Sequence, residues 1–163
     1  MIGRVKILLL LSILVTGNAI ADTIDINLGA LHLPSCYDPG DGSCISYNNK
    51  TPGIGFSLSL ENNFKFVAGT YKNSFYYLSE YAGVGYDKKF YSDTNIMYGF
   101  GILTGLATGY SHTIQSNTFL TMMILPQLLL GSKDVWLSVG VLPSANTVKY
   151  TNIFTLQASI LLN

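Results

Sequence analysis

Three side chains in this sequence could together supply a general base and a nucleophile. Its two histidines are His32 and His112, and Ser74 lies in the segment Tyr71-Lys72-Asn73-Ser74. A neutral imidazole accepts a proton near neutral pH, and a serine hydroxyl that loses its proton becomes a nucleophile. The side-chain amide of Asn73 adds a hydrogen-bond donor beside that hydroxyl. Taken locally, Lys-Asn-Ser is also ordinary turn chemistry, because Asn and Ser side chains bond to their own backbone.

The elements that carry these residues are indicated by alternation of apolar with small or polar residues. In Gly53–Leu60 every large apolar side chain falls on one parity, and Ile153–Ile160 does nearly the same. A period of two places apolar side chains on one face of a β-strand. Eight segments are predicted as strands on this ground: Ile24–Leu33, Gly53–Leu60, Asn63–Tyr71, Tyr76–Tyr86, Asn95–Tyr110, Thr118–Leu130, Val135–Leu142 and Asn152–Leu162.

The first 21 residues are predicted to be a cleaved signal peptide. Arg4 and Lys6 precede a leucine-rich stretch, and Ala19-Ile20-Ala21 supplies the small residues of a cleavage site. The alternative is an uncleaved anchor, but the apolar stretch is short for a helix that spans a membrane. Residues 22–163 are then predicted to form one domain.

Eight alternating strands after a signal peptide fit either a soluble secreted β-sandwich or lipocalin-like barrel, or a closed outer-membrane barrel. Between Thr94 and Asn163 only Lys133, Asp134 and Lys149 are charged. The chain has 11 Tyr and 8 Phe, many near predicted strand ends, as in interfacial aromatic girdles. The sequence therefore predicts an all-β fold: an eight-stranded antiparallel β-barrel in the outer membrane of a Gram-negative bacterium, present as a monomer.

The cysteines and the charges narrow the function further. Cys36 and Cys44 lie in one polar stretch, and an exported protein would pair them in a disulfide, the alternative being two free thiols. No basic patch is present, so nucleic acid is not an expected partner. The sequence contains neither a metal-ligand cluster nor a phosphate-binding glycine loop, so we expect no metal and no cofactor.

The predicted topology places the candidate residues at one end of the barrel. With an even number of strands both termini are periplasmic, and the longer connections are external. The longest connection, Pro34–Pro52, is then external, and His32, Asn73, Ser74 and His112 share the outer rim. On a regular strand, however, His32 has the parity of the lipid-facing apolar residues and would point outward, unless the strand ends or bulges before it.

The predicted interior is small and apolar. Gly99 and Gly101 fall on the inward parity of the fifth predicted strand, and the sixth strand is apolar on both parities, including Met122 and Leu128. Such residues could leave a slot lined by hydrocarbon that suits an acyl chain, or they could fill a tightly packed core. As candidate lipid-binding residues we take Gly99, Gly101, Met122 and Leu128.

In several short segments the chain resembles the outer-membrane lipid A palmitoyltransferases, the PagP-like family, from about His32 to the C-terminus. The family's catalytic histidine lies at the outer end of the first strand, the place that His32 occupies. Four short segments carry the remaining likeness in order along the chain: Tyr71-Lys72-Asn73-Ser74 (Phe-Lys-Asp-Ser in the family), Ala82-Gly83-Val84-Gly85-Tyr86 (Ala-Gly-Tyr-Gly-Trp), Leu125-Pro126 (a proline-bearing sixth strand) and Val141-Leu142-Pro143-Ser144 (Tyr-Ile-Pro-Gly).

The resemblance implies an enzyme that moves a palmitoyl chain from a phospholipid to lipid A, with His32, Ser74 and Asn73 as catalytic residues. Three features depart from the family: Asn73 stands where it has Asp, the amphipathic N-terminal helix is missing, and the chain lacks the terminal aromatic residue common in outer-membrane barrels. Asn hydrogen-bonds but carries no charge, so the resemblance predicts that Asn73→Asp raises activity.

Two other functions remain open from the sequence. A lipid A deacylase would use His112 with Ser111 or Ser116, a spacing that is generic. A non-catalytic small barrel would bind a partner through its external loops, and His32, Asn73 and Ser74 would then be rim residues with satisfied hydrogen bonds.

Overall fold

The computed structural model describes residues 22–38, 41–110, 120–143 and 151–162. Eight of its strands close into an antiparallel barrel in the order β1-β10-β9-β8-β7-β6-β5-β4, which confirms the predicted fold class. The predicted signal peptide, residues 1–21, lies outside the described residues. The strands are β1 (Thr23–Leu33), β2 (Cys36–Tyr37), β3 (Ile45–Ser46), β4 (Gly53–Ser59), β5 (Phe64–Lys72), β6 (Leu78–Tyr91), β7 (Met97–Ala107), β8 (Thr121–Gly131), β9 (Val135–Leu142) and β10 (Asn152–Leu161).

The outward face of the barrel is apolar and aromatic. Along β7 the side chains of Tyr98, Phe100 and Ile102 are exposed, while the residues between them face inward. The ring of Phe90 on β6 stacks on Tyr98, 5.5 Å between centroids, and lies 6.3 Å from Phe100. In the described ranges no helix is long and apolar enough to cross a membrane.

An apolar cluster, here called the plug, lies at the end of the barrel where β1 begins and β10 ends, which we call the inner end. Met97, Leu129 and Trp136 pack together there and are almost fully buried, with Leu161 against them. The ammonium of Lys89 lies 3.5 Å from the centroid of the Trp136 ring, a cation–π contact.

Above the plug lies a layer of buried polar groups that are mutually paired. Lys65 Nζ is 2.7 Å from Asp87 Oδ2, and Gln127 Nε2 donates to Asp87 Oδ1 at 3.1 Å. The carboxylate of Asp25 accepts hydrogen bonds from the hydroxyls of Ser57 and Ser159. Buried charges are tolerated when they are paired in this way, and the layer forms a polar floor for the space above it.

The strands are less completely paired in the outer half of the barrel, toward the turn at Ser74, than in the half that holds the plug. β1 pairs with β4 only from Thr23 to Asn27, and β8 pairs with β9 only from Gln127 to Gly131. Thr121–Pro126 pair with β7 but have no β9 partner among the described residues. Pro126 lacks an N–H group, so it cannot donate across the β8–β9 seam.

The connection between β1 and β4 folds back over the end of the barrel instead of extending away from it. β2 and β3 form a short antiparallel hairpin that the sequence analysis did not predict, and the predicted disulfide between Cys36 and Cys44 is confirmed within it. After the hairpin, the backbone N–H of Asn48 donates to the carbonyl of Ser74 at 2.8 Å. The connection is thereby fixed to the turn between β5 and β6.

Candidate active site

His32 faces the interior because β1 contains a β-bulge. The pairing of β1 with β10 shifts register between Asn27 and Gly29, which leaves Leu28 as the extra residue. Before the bulge the odd-numbered residues, such as Asp25, face the interior. After the bulge the even-numbered residues face the interior, and His32 has no exposed surface. A bulge redirects the side chains that follow it. The parity conflict noted in the sequence is resolved at this point.

The imidazole of His32 joins two residues from different connections. Its Nε2 lies 2.6 Å from the hydroxyl oxygen of Ser74, and its Nδ1 lies 2.8 Å from the side-chain oxygen of Asn49. If Nδ1–H donates to the Asn49 oxygen, Nε2 is left as the acceptor for the Ser74 hydroxyl proton. Nucleophile, base and orienting group in this order are the arrangement of a Ser–His–Asn triad.

Asn73, the residue predicted to act beside Ser74, holds the turn instead. Its Oδ1 accepts the backbone N–H groups of Phe75 at 2.9 Å and Tyr77 at 3.0 Å. Its amide nitrogen donates to Ser79 Oγ and to the Gly109 carbonyl, each at 2.9 Å. Both amide hydrogens are therefore used, which corrects the expectation that Asn73 offers a donor to a reacting group. The residue is fully buried and shapes the turn that presents Ser74.

Asn49 is the member of the site that the sequence analysis missed. It lies in the polar run before β4, is exposed, and shares no spacing rule with His32 or Ser74. Its backbone carbonyl accepts the N–H of Ala30 at 3.0 Å, in the part of β1 that has no β4 partner. Asn48, beside it, also donates from its side chain to the Asn73 carbonyl at 3.0 Å. The connection therefore fills the gap between β1 and β4 and carries an orienting group to His32.

A cavity opens directly below Ser74 and runs into the barrel. Its outer part includes Tyr71 and Tyr110, whose hydroxyls are 2.7 Å apart. Its lower end meets the polar floor at Asp25, Lys65 and Gln127. Between these levels the lining is mainly apolar: Val67, Tyr81, Leu103, Met123, Leu125, Leu142, Ile153 and Leu156.

The four predicted lipid-binding residues are placed differently from the expectation. Met122 and Leu128 are 58% and 68% exposed and face outward, so assigning them to the slot was wrong. β8 is apolar on both faces, and its register with β7 decides the parity, which puts Met123 and Leu125 inside. Gly99 and Gly101 fall on the inward parity as predicted, but neither lines the cavity. A side chain at Gly101 would meet the Asp87–Gln127 pair, so this glycine belongs to the floor.

The residues of the alternative deacylase site, His112, Ser111 and Ser116, lie outside the described residues. Within the described part, His32 and Ser74 are brought together at one end of the barrel, as the strand order predicted, and Asn73 lies beside Ser74.

Comparisons with known proteins add little to this geometry. No protein-family model matches the chain, and no curated protein matches it. Among solved structures, the crystal structure of Neisserial surface protein A (NspA) is similar at 14% sequence identity, covering 87% of this chain and 96% of that one, with a TM-score of 0.37. A similarity at this level says nothing about the chemistry of the site.

Proposed function

We propose that this protein is an integral outer-membrane acyltransferase that moves a fatty acyl chain, such as palmitoyl, from a phospholipid to lipid A. The observation that carries the proposal is the buried 2.6 Å contact between His32 Nε2 and Ser74 Oγ above an apolar cavity. The resemblance to the PagP-like palmitoyltransferases, whose histidine occupies the place of His32, supports the choice of reaction.

The membrane setting is supported by the outward face of the barrel. Large apolar side chains are exposed on every strand of the barrel, whereas the charged groups Lys65 and Asp87 are turned inward and paired. Exposure on this scale would be unfavourable in water and suits a hydrocarbon environment. The outward set includes Ile26, Ile54, Phe56, Val84, Phe100, Ile102, Leu128, Leu130, Leu137, Val139 and Phe154.

In the proposed reaction Ser74 is the nucleophile and His32 the general base. As Ser74 Oγ forms a bond to the ester carbonyl carbon of the phospholipid, Nε2 of His32 takes the hydroxyl proton. Collapse of the tetrahedral intermediate breaks the ester bond, and the lysophospholipid oxygen leaves with the proton from Nε2. A lipid A hydroxyl then attacks the Ser74 ester, gives its proton to Nε2, and Ser74 Oγ recovers a proton as it leaves. The Asn49 oxygen accepts the Nδ1–H of the imidazolium both when Ser74 is acylated and when the acyl chain is transferred to lipid A.

The cavity and the open seam supply the positions for the acyl chain. A chain esterified to Ser74 would extend past Tyr71 toward Val67 and Leu103, and the charged floor at Lys65 would stop it. Leu125 and Leu142 line this cavity and also border the unpaired outer part of the β8–β9 seam. A phospholipid in the outer leaflet could thus present its chain from the side, without entering through the polar rim.

The proposal is tested by mass spectrometry of lipid A from cells that express the parent or a variant. Expression of the parent should add one acyl chain to lipid A, and His32→Ala and Ser74→Ala should abolish the addition. Ser43→Ala, in the external hairpin loop, and His112→Ala are the matched controls and should behave as the parent. Unchanged lipid A with the parent would favour the non-catalytic barrel, and loss of acyl chains that depends on His112 would favour the deacylase.

A further inference from the structure

The imidazole of His32 is held by a third contact, which the proposed reaction does not use. The ring of Tyr47 stacks on it with a centroid distance of 4.5 Å and an interplanar angle of 17°. Tyr47 is only 5% exposed. Asn49 restrains the imidazole within its plane through Nδ1, whereas a stacked ring restrains rotation out of that plane. The two neighbours therefore fix different degrees of freedom of the same base.

Tyr47 is itself anchored from both sides of the rim. Its hydroxyl lies 3.1 Å from Oγ1 of Thr151, a buried residue 104 positions away that immediately precedes β10. Its backbone N–H donates to the Ser35 carbonyl at 3.1 Å. The rings of Tyr37 and Phe75 pack on it at centroid distances of 5.3 and 5.6 Å. The aromatic ring is thus held by the residue before β10, by the hairpin and by the turn that carries Ser74.

The hairpin that delivers Tyr47 depends on its disulfide. β2 and β3 are two residues each, joined by the pairs Cys36–Ser46 and Tyr37–Ile45, and Tyr47 directly follows β3. A two-stranded hairpin of this length is marginal without further support. The Cys36–Cys44 bond closes it, so the position of Tyr47 is tied to the oxidised state of these cysteines.

We propose that Tyr47 is a positioning residue for His32, and that the disulfide-closed hairpin is a required part of the active site and not a loop appended to it. When His32 takes the proton of Ser74, the imidazole becomes a cation over the face of the Tyr47 ring, an arrangement that favours the charged form. An imidazole free to tilt would lose alignment with Ser74 Oγ, and a misplacement of about 1 Å costs on the order of 100-fold in rate. This inference rests on the proposed function of His32 and Ser74.

The test is the rate at which Ser74 reacts with a fluorophosphonate probe in the detergent-solubilised full protein. The probe needs an activated serine but neither an acyl donor nor lipid A. Tyr47→Leu should lower the limiting rate about 10- to 100-fold at an unchanged half-saturating probe concentration. Tyr47→Trp, which restores a stacking ring, should recover most of the rate, and Tyr47→Phe and Thr151→Val should each stay within about threefold of the parent, because stacking persists. The double variant Cys36→Ser/Cys44→Ser should lower the limiting rate by about as much as Tyr47→Leu does.

Heat-modifiable gel mobility and circular dichroism establish that each variant remains a barrel. If Tyr47→Leu reacts as fast as the parent, the inference is overturned while the proposed function stands. If the parent does not react at Ser74, the proposed function falls and this inference falls with it. Should Tyr47→Leu fail to fold, the cysteine double variant decides: a parental rate overturns the inference, and a slow rate in a folded barrel supports it.

Discussion

His32 Nε2 and Ser74 Oγ lie 2.6 Å apart although the two residues are 42 positions apart in the chain. His32 arrives from the outer end of β1 and Ser74 from the turn after β5, so the contact joins two strands that are separated in the barrel by β4. Neither residue has more than 5% of its surface exposed. A base and a hydroxyl in this arrangement have the geometry of an activated nucleophile.

Removing the orienting amide should slow the reaction without unfolding the barrel. Asn49→Ala deletes the acceptor for His32 Nδ1–H, and we expect kcat to fall about 10- to 1,000-fold, since a base left in the wrong tautomer cannot accept the serine proton. Asn49→Asp keeps the acceptor and should retain most of the activity. Steady-state acyl transfer in detergent measures both. Lys50→Ala, the adjacent exposed residue, is the control, and equal rates for Asn49→Ala and Lys50→Ala would exclude a role for Asn49.

The hydrogen bonds of Asn73 lead us to predict for Asn73→Asp the opposite of what the resemblance implies. A carboxylate at residue 73 still accepts from Phe75 and Tyr77, but it has no hydrogen to donate to the Gly109 carbonyl, so two acceptor oxygens would face each other without a hydrogen bond. An unsatisfied buried group of this kind costs about 1–3 kcal/mol. We therefore expect a lower thermal midpoint in detergent and a lower acyl-transfer rate.

The control for this substitution makes the same chemical change in an exposed turn. Asn95 is exposed in the connection between β6 and β7, and Asn95→Asp should leave both the thermal midpoint and the rate unchanged. A variant Asn73→Asp that is more active than the parent would support the family-based expectation and refute the role assigned to the Asn73 amide.

Filling the cavity should shorten the acyl chain that the protein transfers. Val67 is 3% exposed and lines the middle of the cavity, so Val67→Phe narrows the space below Ser74. One methylene group more or less in an apolar pocket alters rates about 10- to 200-fold, and transfer of the longest chains should fall by at least this order. Competition between donors of different chain length, read by mass spectrometry, measures the preference. Val84→Phe makes the same change on the outward face and should leave the preference unaltered.

Much of the barrel was predictable from alternation, because one face of each strand is apolar and period two is a strong signal. Seven of the eight predicted strands match closely, and β6 extends to Tyr91, beyond the predicted end at Tyr86. Alternation failed on β8, where both faces are apolar and only the pairing with β7 decides which residues face inward.

The site was predictable only in part. The shared rim of His32 and Ser74 follows from strand order, whereas the inward turn of His32 requires a bulge at Leu28 that no residue type announces. Asn49 and Tyr47 reach His32 through the folding of a polar connection, whose path is set by the disulfide hairpin and by hydrogen bonds to the turn at Ser74. Tertiary contacts of this kind have no local sequence signal.

The central claim, that Ser74 activated by His32 transfers an acyl chain, is tested most directly with purified protein, a phospholipid carrying a labelled palmitoyl ester and lipid A as acceptor. The parent should move the label to lipid A, and Ser74→Ala and His32→Ala should lower the rate by orders of magnitude while remaining heat-modifiable barrels. Transfer at the parental rate by Ser74→Ala, or no transfer by the parent with any phospholipid donor, would contradict the account.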